Sequence, residues 1–135
     1  MSTELNNTDS NPDSRQRTFL VVDDFDDTRL LLRTWLKRKG FLVIEAANGK
    51  QAVSAAEEHH PDFIIMDVEM PQLDGLTATR QIRALNQIPR IPIIAVSAYG
   101  ADQYRAQALE AGCDEYVATP FEPDELEKVI RSLLK

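Results

Sequence analysis

The sequence predicts an α/β fold in which five parallel strands alternate with five helices. Two observations lead there, and a third bears on the site. Five apolar runs, the first of them Thr18-Phe19-Leu20-Val21-Val22, are separated by stretches with helical spacing. That alternation implies a parallel sheet with helices on both faces, joined by right-handed crossovers. The runs also finish on oxygen-bearing side chains: carboxylates after the first and third, Ser97 and Thr119 after the fourth and fifth. In open sheets of this kind the site lies beyond the carboxyl ends of the strands, where strand order reverses.

Each run can be justified in turn. "TFLVV" is continuously apolar, as a strand buried on both faces requires. "TRLLLRTWLKRKG" places Leu31, Leu32, Trp35 and Leu36 on one helical face, with Gly40 to end it and Asp26 or Asp27 as N-cap. "FLVIE" is the second strand and "NGKQAVSAAEEHH" the second helix, capped by Asn48. "DFIIMD" is the third strand. "DGLTATRQIRAL" follows as a helix capped by Asp74, with Leu76, Ile82 and Leu85 inward. "IPIIAVS" is the fourth strand, where Pro92 is tolerable because it lies near the start. "ADQYRAQALEAG" reads as a weakly amphipathic helix stopped by Gly112, and "EYVAT" as a short fifth strand. "EPDELEKVIRSLLK" closes the chain with Leu126, Val129, Ile130 and Leu133 at helical spacing and Pro123 in the first turn.

Bulk properties narrow the function. A net charge of -7 over 135 residues argues against nucleic acid, whose phosphates need a positive field, and against an anionic membrane surface. A hydrophobic content of 43% suits one globular domain with a real core. No apolar run approaches membrane-spanning length. The start, "MSTELNNTDSNPDSRQR", lacks the apolar stretch of a signal peptide and cannot offset the entropy of ordering. Residues 1–17 are therefore expected to be a flexible tail and 18–135 a single domain, with no second domain. The lone Cys113 rules out an internal disulfide and suits a reducing cytosol, so a cytoplasmic location is expected. Beside Gly112, with no basic sequence neighbours, it reads as structural.

The strand ends carry the chemistry. Strand one delivers Asp23 and Asp24; strand three delivers Asp67, with Glu69 two residues on; strands four and five deliver Ser97 and Thr119. Alone, Asp23-Asp24 is explained by turn and cap chemistry. Asp67, at the lip of a buried run, alters that reading. Converging carboxylates raise each other's pKa unless a cation intervenes. Mg2+ fits, because it typically takes one or two carboxylates plus water and phosphate oxygen. A carboxylate beside such an ion can act as nucleophile towards a phosphoryl group, with Ser97 placed to hydrogen-bond a phosphoryl oxygen.

The segments "FLVVDDFDDTR", "FIIMDVEMPQLDGL", "IPIIAVSA" and "GCDEYVATPFEPDEL", in that order on those elements, closely resemble the receiver domains of bacterial response regulators. The likeness runs from about Phe19 to Lys135. It implies a doubly wound, flavodoxin-like sheet of order 2-1-3-4-5. By resemblance, Asp67 accepts phosphoryl from a histidine kinase or phosphotransfer protein. Asp24 and Asp67 coordinate Mg2+, Glu69 adds its backbone carbonyl, and Asp23 acts mostly through metal-bound water. Ser97 is the hydroxyl that moves towards the phosphoryl group, and Tyr116 the aromatic that follows it. An unidentified downstream protein is met by the fourth helix, fifth strand and fifth helix, residues 101–135.

One position departs from that pattern. The family almost always carries a lysine before the proline that ends strand five, and this chain has Thr119-Pro120. No other Lys or Arg stands at a strand end to replace it. Losing such a charge-assisted contact costs roughly 1.5–3 kcal/mol. Phosphorylation at Asp67 stays chemically possible, whereas the conformational response is expected to be weaker or pre-set. The bond before Pro120 is expected to be cis, as in the family. A second reading is thus a pseudo-receiver, binding protein partners without phosphorylation. A third, a Mg2+-dependent phosphatase, lacks a convincing acid and lysine; slow self-dephosphorylation is the most catalysis expected. His59-His60 suit a helix end, Trp35 the core, and "KRK" a helix C-terminus.

Overall fold

A computed structural model describes residues 16–68, 70, 74–87, 89–97, 102–119 and 122–133. Glu69, Pro120, residues 1–15 of the expected tail and parts of the 101–135 surface lie outside the described residues.

The strands are β1 (Thr18–Val22), β2 (Leu42–Ala46), β3 (Phe63–Asp67), β4 (Ile93–Ser97) and β5 (Glu115–Ala118). Between and after them run α1 (Asp26–Arg38), α2 (Gly49–His59), α3 (Gly75–Ala84), α4 (Asp102–Ala111) and α5 (Pro123–Leu133). All strand pairs are parallel and the sheet order is β2-β1-β3-β4-β5. The chain leaves β1 for β2 on one side and returns to β3 on the other. The reversal therefore falls between the carboxyl ends of β1 and β3, which are paired up to Val22 and Met66.

Alternation along each strand divides the core in two. Leu20, Val22, Ile64, Met66, Ile93 and Ala95 pack with Ala52, Ala56, Ala78, Ile82 and Ala108 of α2, α3 and α4. Phe19, Val21, Phe63, Ile65, Ile94 and Val96 face Leu36 of α1 and Leu126 and Ile130 of α5. Phe19 stacks on Phe63 with ring centroids 4.9 Å apart. Strands buried on both faces are what the unbroken apolar runs require.

The caps decide where helices begin. Asn48 accepts from Gln51 N at 2.9 Å and Asp74 from Thr77 N at 2.9 Å, as expected. In α1 the expectation fails: the N-cap is Phe25, without a side-chain cap bond, and Asp26 and Asp27 fall inside the first turn. There they still complement the helix dipole. The start of α1 is shaped instead by Asp23, whose Oδ1 accepts from Phe25 N at 2.9 Å. Leu31, assigned to the inward face, is 72% exposed, and the buried stripe runs through Leu36 with Leu32 and Trp35 partly covered. Gly40, with φ of 95°, ends α1 in the left-handed region that glycine enters without strain.

Candidate functional site

The parallel sheet delivers its first, third and fourth strand ends to one rim. Asp23 follows β1 directly, and its N–H donates to Ala46 O at 3.1 Å, which continues the β1–β2 ladder by one bond. Asp67 is the last residue of β3, in register with Val96 of β4. One carboxylate oxygen from each of Asp23, Asp24 and Asp67 lies within 4.8 Å of the others. They edge a cleft of about 290 Å3 that also takes in Ser97 and Thr119 and is floored by Leu32, Ile65 and Val96. Thr119 N donates to Ser97 O at 2.7 Å, which fixes the two hydroxyl-bearing residues side by side.

Burial makes this arrangement costly without a cation. Asp23 is only 7% exposed. That burial, with the charge of Asp24, pushes its carboxyl above the usual aspartate range, against the Phe25 amide and the Arg29 charge, which pull it down. Asp24 Oδ1 is buried with no hydrogen-bond partner among the described residues. An orphaned carboxylate oxygen beside two further carboxylates is the donor set of a hard, oxygen-seeking cation, so the residues fit Mg2+.

The structure gathers Asp23, Asp24, Asp67, Ser97 and Thr119. It does not bring Tyr116 to the cleft. That ring, 7% exposed, lies in the core half shared with α2, α3 and α4, on a strand position in register with Ala95. Glu69 and Pro120, named from the sequence for the metal and the pocket, lie outside the described residues, as does the bond expected to be cis. A larger hollow of about 490 Å3 sits at the other end of the sheet, among Arg17, His60, Pro61 and Arg90. Asp62 is the one carboxylate among its described lining residues and accepts from Thr18 N at 2.8 Å, so no cluster of acids forms there.

Sequence reasoning missed two residues. It places no basic group near the acids, yet Arg29 turns back from α1 and donates from Nη1 to Asp23 O at 2.8 Å. Its spacing of six residues from Asp23, with Glu45 ending the second apolar run, was the available signal. Gly75, the first residue of α3, packs so tightly that an added Cβ would meet Asp67 O at 2.2 Å. Only a glycine lets α3 approach the backbone that carries Asp67. Cys113 also has unexpected cationic neighbours in Arg83 and Arg80, but burial outweighs them and raises the thiol pKa.

Comparison with known proteins decides the family. The profile of the response regulator receiver domain matches residues 19–131. The chain belongs to that family. This receiver is 41% identical over 120 residues to a probable transcriptional regulator, ycf27, of Cyanophora paradoxa, covering 89% of the chain and 49% of the relative. It is 38% identical to an uncharacterized 14.6 kDa protein of Leptolyngbya boryana, covering 86% of the chain and 88% of that protein. The receiver spans about half the length of the transcriptional regulators ycf27 and ResD, the latter from Bacillus subtilis, that it matches. Among solved structures, the receiver domain of the Pseudomonas aeruginosa sensor histidine kinase PA1611 superposes with a TM-score of 0.81 at 36% identity, over 88% of this chain and 98% of that one. That structure holds a magnesium ion coordinated in its active site cleft. Among the described residues, no helix is long and apolar enough to cross a membrane.

Proposed function

We infer that this receiver accepts a phosphoryl group on Asp67 from a histidine kinase or phosphotransfer protein, with Mg2+ as cofactor. One observation carries the reading: three carboxylates within 4.8 Å, one with an orphaned buried oxygen, at the topological reversal of the sheet. Asp24 and Asp67 would hold the ion directly and Asp23 through water, with Glu69 offering a further oxygen. Bound there, Mg2+ supplies charge neutralisation for the acids and for an incoming phosphoryl group.

The chain's own residues do the rest. Asp67, at the strand tip, presents a carboxylate oxygen to phosphorus; the new O–P bond forms as the P–N bond of a phosphohistidine breaks, and the imidazole takes the bond pair and leaves neutral because its other ring nitrogen already carries a proton. Ser97, 2% exposed at the end of β4, hydrogen-bonds a phosphoryl oxygen. The downstream surface is that of α4, β5 and α5. With acetyl phosphate and Mg2+, the intact mass should rise by one phosphoryl group, and Asp67→Asn should abolish the gain. An unchanged wild-type mass rejects this reading.

Thr119 favours a second reading. It lines the cleft where the family pattern has lysine; no Lys or Arg is among the described residues that line the cleft, Arg29 being bonded to the Asp23 carbonyl without lining it. The response to phosphorylation is then weak, and partners are bound by a phosphorylation-independent module. Partner binding unchanged by Asp67→Asn supports that alternative; restored phospho-dependence in Thr119→Lys shows what the threonine removed.

A further inference from the structure

We propose that Arg29 is a positioning residue of the acidic site, holding the loop from Asp23 to Phe25 in the shape that lets three carboxylates converge. The inference rests on the reading of that site as a Mg2+ site.

One guanidinium, 15% exposed, makes three attachments. Nη1 donates to the Asp23 carbonyl at 2.8 Å, Nε to Glu45 Oε1 at 3.1 Å, and Nη2 to the Asp26 carboxylate. Glu45 is itself held on its other oxygen by Arg33 Nη1 at 2.6 Å. Glu45 belongs to β2, in register with Val21 of β1. The loop that leaves β1 is therefore bolted to β2 and to the first turn of α1 through a single planar fork. A lysine, whose three N–H groups share a single nitrogen, cannot span the same three acceptors. The peptide so fixed lies between Asp23 and Asp24, so its orientation sets where both carboxylates point.

A positioning role and a purely electrostatic one have opposite signs. Arg29 is a cation near a cation site, so by charge alone its removal tightens Mg2+ binding. Asp26 and Glu45 already compensate that charge, which leaves geometry as the larger effect. Outer-shell partners of this kind typically change metal affinity by about tenfold or more.

The test compares wild type, Arg29→Ala, Arg29→Lys and Arg33→Ala, the last breaking a comparable α1–β2 ion pair without touching the loop. Amide exchange at Asp24 and Phe25 in metal-free protein should quicken in both Arg29 variants, and calorimetric Mg2+ affinity should fall by about tenfold. Arg33→Ala should change neither by more than about twofold, as expected of an outlying surface pair. If Arg29→Ala does not fold, Arg29→Lys carries the comparison. Unchanged exchange, tighter Mg2+ binding, or equal loosening in Arg33→Ala overturns the proposal. A wild type that takes no Mg2+ sinks the proposed function instead, and the exchange readout then decides the role of Arg29 alone.

Discussion

Asp23 illustrates how the proposed cation site strains the fold that carries it. Its carboxyl is buried beside another carboxylate, and its folded pKa stands above the unfolded one. For a group raised in this way, the contribution to stability is fully present below the unfolded pKa and is lost as pH rises through the folded value. Near neutrality, in EDTA, the charge opposes folding. Asp23→Asn should therefore raise the thermal midpoint of the metal-free protein, since an amide oxygen can still accept from Phe25 N. The same variant should gain less than wild type from added Mg2+. A lower midpoint in EDTA counts against this picture. Cys113 is the reverse case, a group whose burial is harmless because it stays neutral. With its thiol pKa pushed up and Thr79 Oγ1 3.6 Å from its sulfur, native protein should resist alkylation that the unfolded chain undergoes readily.

The connection of β2 to α1 has its own pH signature. Burial works against the charge of Glu45, but hydrogen bonds and charges from Arg33 and Arg29 outweigh it and hold the carboxyl below its ordinary 4.5. Its stabilisation is present above that unfolded value and is lost as pH falls through the folded one. Glu45→Gln should cost about 1 kcal/mol in urea denaturation at pH 7, the upper range for a partly exposed pair. The gap to wild type should close in acid. A gap that persists unchanged in acid assigns the cost to packing instead. The seat of α3 on β3 leaves no room for a side chain. Because a Cβ at Gly75 meets backbone 2.2 Å away, Gly75→Ala should destabilise by about 1–3 kcal/mol or more and displace Asp67. Denaturation midpoints check the first effect and Mg2+ affinity the second.

Seen as one body, the receiver shows which features a chain announces and which it conceals. The five strands and five helices were legible because a parallel sheet buried on both faces writes itself as unbroken apolar runs, here "FLVV", "FIIM" and "IIAV". Asp23, Asp24, Asp67, Ser97 and Thr119 were legible because the topology fixes which strand ends meet. Arg29 was hidden, since its partners lie on β2, on α1 and just beyond β1, and only the folded crossover brings them together. Gly75 was hidden for a related reason: a close approach leaves no trace in polarity or period. Leu31 misled because it fits the helical stripe yet lies at its margin, and its side chain is left exposed.

The proposed function rests on a divalent ion uniting the acids at the rim. Calorimetric titration of the metal-free protein with MgCl2, beside Asp24→Asn, measures that dependence. One ion should bind per chain, and the variant should lose on the order of ten- to a hundredfold in affinity, as expected when a charge-assisted contact is removed. No detectable binding, or binding that Asp24→Asn leaves untouched, means the three carboxylates meet for some other reason.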